Sequence, residues 1–288
     1  MFQIISDGGC DFTKQEAKQN NVDIVPFYIT FDNVNTLREG IDINAEEFFK
    51  KLLADKDIFP KTSQPNPQDY VDIFKPYVEN GKDIVCLTIS SKVSGSYASA
   101  KIAKDILIDS YPTARIVLID SLNGSIGQGL ILKELVRIRD AGHNAQKVAG
   151  LVDAVVKSAK LYFTVDTLEY LKKGGRIGPT TAMVGNMLGI RPILQVEDGS
   201  ITQLSSARGK KKTLKMIEEA IIDTLKGKEA SLSVGHILRE EEAEEVKDSL
   251  ELALGMEKSK LVELGATMGA HAGPGAICFA YCKKYDKV

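Results

Sequence analysis

The strongest constraint on the fold is the alternation, through the first half of the chain, of short apolar runs with helical patterns. Residues 2–6, 83–89 and 115–120 are each strand-length, and 83–89 reads as a buried strand. Helical periodicity follows at 12–20, 45–54, 67–79, 96–108, 124–141 and 144–157. The boundaries are marked by chemistry. Asp11 is a plausible cap for the first helix, and Asn44 caps the second, with Glu46 and Glu47 in its first turn. Asn66-Pro67 opens the third with Pro at the first helical position, and Gly142 stops the fifth. A further strand, 22–31, is interrupted at Pro26. Strand–helix units at this spacing predict a parallel sheet covered on both faces.

The second half has a different grammar. Strands are expected at 161–165, 231–238, 260–264 and 276–281, and a short helix at 167–173 ends at Gly174-Gly175. Segments 191–197 and 200–207 flank Asp198-Gly199, a hairpin signal. Residues 211–225 and 240–254 are amphipathic helices, and 180–188 a short apolar one. The fold class expected is α/β. An N-terminal domain (1–160) holds a parallel sheet flanked by helices. A C-terminal α+β domain (161–288) holds a mixed or antiparallel sheet with helices on one side. No linker separates them, so a ligand site in the cleft between them is favoured.

Composition removes several functions. The 288 residues carry a net charge of −2, no Trp and only 7% aromatics, which argues against nucleic-acid binding. Cys278 and Cys282 lack the second ligand pair a zinc site wants, so all four cysteines are expected to be reduced packing residues, with no metal and no cofactor. The first residues lack a basic n-region, and no apolar run approaches the ~18 residues of a membrane span, which places the protein in the cytoplasm.

Four separated segments have the composition of anion-holding loops. Lys61-Thr62-Ser63-Gln64-Pro65 and Ser90-Ser91-Lys92-Val93-Ser94-Gly95-Ser96 offer hydroxyls and free N–H groups. The second follows a buried strand and opens a helix, where anions gather; Ser94 also suits the cap position. Gly174-Gly175-Arg176-Ile177-Gly178 has more glycine than a helix end needs, so its backbone should bend against something, with Arg176 able to offer its fork. Arg208 stands out from the basic run Arg208-Gly209-Lys210-Lys211-Lys212, whose lysines read as a solvated face. His271 lies among small residues before the last strand, and is expected to be accessible and to act as a positive or proton-donating group near neutral pH. Residues 180–190, with Met183 and Met187, read either as ordinary core or as the lid of an apolar cavity.

The ordered set Ser6-Asp7, Lys61 to Pro65, Ser90 to Tyr97, Leu168 to Gly178, Arg191-Pro192-Ile193 and His271 to Gly275 strongly resembles the DegV family of bacterial fatty-acid-binding proteins, over essentially the whole chain. Gly8-Gly9-Cys10 departs from the Ser or Thr more usual there. The resemblance implies a non-enzymatic carrier that buries one long-chain fatty acid in a tunnel. It implies presentation of the carboxylate to a separate ATP-dependent fatty acid kinase, with transient membrane contact for acyl exchange. Carried onto this chain, Thr62, Ser94, Gly95 and His271 would hold the carboxylate. Arg176, Arg208 and His271 would form the positive surface that faces the kinase.

The alternative from the residues alone is a hydrolase or transferase using Ser94 or Ser96 with His271 on a small acyl substrate. Against it, Val93-Ser94-Gly95-Ser96-Tyr97 is not a nucleophile elbow, and His271 has no evident acidic partner.

Overall fold

The computed structural model describes residues 2–55, 57–177, 189–256 and 259–287. In chain order its elements are β1 (Gln3–Asp7), α1 (Lys14–Gln19), β2 (Val22–Val25), β3 (Tyr28–Thr30), β4 (Leu37–Arg38), α2 (Ala45–Ala54), β5 (Lys61–Ser63), α3 (Pro67–Glu79), β6 (Ile84–Thr88), α4 (Ser96–Ser110), β7 (Ile116–Asp120), α5 (Ser125–Asp140) and α6 (Ala145–Ser158). There follow β8 (Lys160–Thr164), α7 (Glu169–Lys173), β9 (Ile190–Glu197), β10 (Ser200–Arg208), α8 (Lys210–Leu225), β11 (Ala230–His236), α9 (Glu240–Leu254), β12 (Lys260–Glu263), α10 (Ala266–Ala272) and β13 (Ile277–Lys283).

The expected parallel sheet is present, in the order β2-β1-β6-β7. Its period-2 side chains divide between two cores. Ile5, Ile84 and Cys86 face α3 and α4 through Tyr70, Phe74, Ala100 and Ala103. Ile4, Val85 and Leu87 face the other way, toward α5 and α6.

The second sheet has six strands in the order β10-β9-β8-β13-β11-β12 and is mixed, only β11 and β12 being parallel. The hairpin turns at Asp198-Gly199, where both residues have positive φ (48° and 81°). Helices α8 and α9 cover the face carrying Val234, Ile277 and Phe279. The opposite face is not open. Cys278, Ala280 and Cys282 pack into the core that contains α5 and α6. Expecting helices on one side only is therefore corrected: α5 and α6, from the first half of the chain, serve both sheets. This explains why 13 of the 16 residues of α5 are buried, the pattern of a helix enclosed all round.

Local corrections follow from hydrogen bonding. Thr13, not Asp11, caps α1, with Glu16 completing a capping box. Asp11 instead accepts from Ser125 Oγ (2.6 Å) and Gly265 N (2.9 Å). Gly95, not Ser94, occupies the cap position of α4, and no side chain caps it. The segment around Thr62 is β5, a strand antiparallel to β3 in a small sheet β4-β3-β5, rather than a loop. The four cysteines are buried free thiols, and burial pushes that of Cys10 up to about 12.

Candidate functional site

The site starts from two elements far apart in sequence. β5 offers Thr62, paired with Ile29 of β3. α10 carries His271 near its C-terminal end. Thr62 Oγ1 and His271 Nε2 are 2.7 Å apart, each able to donate to the other depending on the imidazole tautomer. Nδ1 on the other side of the ring is sealed from solvent and has no hydrogen-bond partner among the described residues. Gly174 makes that packing possible, since a methyl group there would collide with Nδ1. So the surplus glycine after α7 does lie against something, the imidazole itself.

This location corrects two expectations for His271. It lies in a helix rather than a loop, and its ring is half-buried, with Nδ1 sealed from solvent, rather than freely open. Burial, with a smaller contribution from the Arg176 charge, pushes its pKa from 6.5 down to about 4. At neutral pH the ring is uncharged, a hydrogen-bonding group and not a cation.

Beyond His271 lies an apolar cavity of about 90 Å³ among the described residues. Ile89, Ser90 and Val93 from the end of β6, and Asn123 to Ser125 after β7, form one wall. Leu161 and Phe163 of β8, Val196 of β9, Ile201 of β10 and Cys278 of β13 form another. Met268, His271 and Ala272 of α10 contribute a third. The cavity therefore sits where the carboxyl ends of the parallel strands meet the mixed sheet, the position favoured in open α/β sheets.

Val93 links the cavity to the cationic side chain, since its carbonyl accepts from Arg176 Nε at 3.2 Å. Arg176 also donates to Gly174 O, so the guanidinium bridges the serine loop and the α7 end beside His271. Gly95 is pressed by Gln64, whose Nε2 would lie 2.8 Å from a Cβ there. Thr62 to Gln64, Val93 to Gly95, Arg176 and His271 thus converge. Ser94 and Gly95 flank the cavity wall without lining it, and Thr62 reaches it through His271. Arg208 is exposed at the end of β10, and no described contact brings it to this cluster. Lys210 is not simply solvated, being ion-paired to Glu242. The segment 180–188, read above as core or lid, and Gly178 lie outside the described residues.

Asp7 and Gln128 also contribute, and Ser90, expected as part of an anion-holding loop, does more than offer a hydroxyl. Ser90 Oγ donates to Gly199 O at 2.7 Å, tying the serine loop to the β9–β10 turn. Asp7 is fully buried with no cation against it among the described residues, and desolvation raises its pKa. The available signal was a polar pair, Ser6-Asp7, ending an otherwise apolar strand. Ser96 is committed to Asp7 (2.5 Å) and Tyr70 (2.6 Å) rather than to His271. Among the described residues no cluster of three or more His, Cys, Asp or Glu side chains is placed to hold a metal, and no helix is long and apolar enough to cross a membrane.

A parallel sheet joined through shared helices to a mixed sheet, with an apolar cavity at the junction and a threonine–histidine pair beside it, defines the class as an α/β protein with a pocket between its two larger sheets. Within that class, the chain belongs to the DegV family: the family model, described as an uncharacterised DegV family protein, matches residues 1–284. A DegV domain-containing protein of Clostridium perfringens is 33% identical over 283 residues, covering 98% of this chain and 99% of its own. A stearic acid-binding protein from Eubacterium ventriosum superposes with a TM-score of 0.94 at 33% identity, covering 100% of both chains. A fatty-acid-binding DegV family protein from Thermus thermophilus superposes at 0.88 with 27% identity, covering 98% of this chain and 99% of that one.

Proposed function

We propose that this protein binds one long-chain fatty acid in the cavity, its carboxylate held at Thr62, Ser94, Gly95 and His271. The observation that carries the reading is the apolar cavity ending at the Thr62–His271 pair, and the fatty-acid ligands of the Eubacterium and Thermus proteins support it. A tail of about sixteen carbons, at ~0.8 kcal/mol per buried CH₂, gains on the order of 10 kcal/mol. Affinity then comes from the tail, and neutral donors suffice to fix the head without the desolvation cost of a buried counter-ion.

A carboxylate held by neutral donors stays nucleophilic. The protein would present it to a separate ATP-dependent kinase, which forms the acyl phosphate that feeds phospholipid synthesis. Arg176 and Arg208 would balance the charge of the incoming phosphate. The chain itself would act as a cytoplasmic carrier, loaded by transient contact with membranes, with residues 1–160 and 161–288 as its two domains. Native mass spectrometry of the purified protein tests the core of this. One fatty acid per chain is expected; a protein that neither co-purifies with fatty acid nor takes it up from solution overturns the reading.

A further inference from the structure

One carboxylate oxygen holds both ends of the serine loop. Asp7 Oδ2 accepts from Ile89 N at 3.0 Å, where β6 ends, and from Ser96 Oγ at 2.5 Å, where α4 begins. Between these two residues lies the segment with Val93, Ser94 and Gly95. Inside it, Val93 N and Ser94 N both donate to Ser90 O at 3.1 Å, so the loop is closed on itself as well as at its base. The other oxygen, Oδ1, accepts from Gly9 N at 3.1 Å and Gln128 Nε2 at 2.9 Å. Tyr70 is within 2.6 Å of Ser96 Oγ; since Ser96 gives its proton to Asp7, Tyr70 donates to Ser96, which locks the hydroxyl rotor.

Among the described residues, four donors and no cation surround this fully buried group. Only an acceptor-only side chain with two oxygens can satisfy all four. An amide would turn an NH₂ group toward two of them and leave the donors facing each other.

We infer that Asp7 is a positioning residue for head-group recognition, setting the shape of the 89–96 loop so that Ser94, the Gly95 backbone and the Val93 carbonyl that holds Arg176 stand at the mouth of the cavity. This rests on the fatty-acid reading above. It adds a residue that touches no ligand and acts only through the loop.

The test uses the full chain with Asp7→Asn and the milder Ser96→Ala. Amide hydrogen exchange is followed in the ligand-free protein, and binding is compared for stearic acid and stearyl alcohol, which share a tail and differ in the head. Asp7→Asn is expected to speed exchange across residues 89–96 by about tenfold while Ser125–Asp140 stays protected. It should weaken stearic acid by about tenfold and leave the alcohol within about twofold. Ser96→Ala, which removes one of the two loop contacts and keeps the charge, should show the same selectivity at about threefold, and carries the test alone if Asp7→Asn does not fold. Equal losses for acid and alcohol would mean a merely structural role and overturn the inference, as would unchanged loop exchange or unchanged acid affinity in both variants. A wild-type protein that binds neither lipid overturns the functional reading itself, whatever the loop does.

Discussion

Thr62 and His271, separated by 209 residues, meet at 2.7 Å across the junction of a small antiparallel sheet and a short helix. The pairing sets what the site can recognise. On the fatty-acid reading proposed above, a neutral imidazole and a hydroxyl would hold the carboxylate by directed hydrogen bonds, without adding a buried positive charge.

Thr62→Val keeps the shape and removes the hydroxyl, leaving Nε2 without its partner. Retention of fatty acid should fall by about tenfold, the worth of one lost buried hydrogen bond with an orphaned partner. Displacement of a fluorescent fatty acid checks this, and unchanged affinity would take Thr62 out of the head-group site.

His271 gives a pH dependence with a definite sign. Its folded pKa, about 4, is below the ordinary 6.5, so between these values the unfolded chain binds a proton that the folded chain does not. This contribution to stability is present above about pH 6.5 and is lost as the pH falls toward 4. His271→Gln should flatten that slope. Urea denaturation at about pH 7 and about pH 4.5 for both proteins reads it directly.

Arg208 and Arg176 should separate. Arg176 is tied to Val93 O and Gly174 O beside the imidazole, so Arg176→Ala should loosen fatty-acid binding as well as acyl phosphorylation. Arg208→Ala should leave bound fatty acid in place and slow phosphorylation by the kinase about tenfold, the scale of one charge-assisted contact. Loss of the ligand in Arg208→Ala would place Arg208 at the pocket instead.

Val196 lines the cavity from β9. Val196→Phe should shorten the acyl chain that fits, with each excluded methylene costing about 0.8 kcal/mol. Mass spectrometry of the lipids bound by wild type and variant would show the shift; an identical lipid profile would place the tail elsewhere.

Local chemistry made much of the fold legible before any coordinates. Asn66-Pro67 opens α3 and α9 runs over Glu240–Leu254, as expected, because caps, proline and helical periodicity act within a few residues of chain. Asp198-Gly199 makes its turn for the same reason. The errors fell where neighbours distant in sequence decide. Thr62 looks like loop in the sequence because a three-residue strand has no periodicity of its own and exists through pairing with β3. His271 looks exposed in the sequence because small flanking residues suggest openness, whereas Gly174, about a hundred residues away in the chain, lets the backbone pack against Nδ1.

The sequence alone therefore determined the strand–helix alternation, the hairpin, the placement of most helix ends and, by resemblance, the family. These depend on short-range periodicity and backbone preference. The protonation state of His271, the sharing of α5 between two sheets and the grip of Asp7 on both ends of one loop were decided by tertiary structure. Each depends on desolvation and on donors brought together from separate elements, and neither exists until the chain is folded.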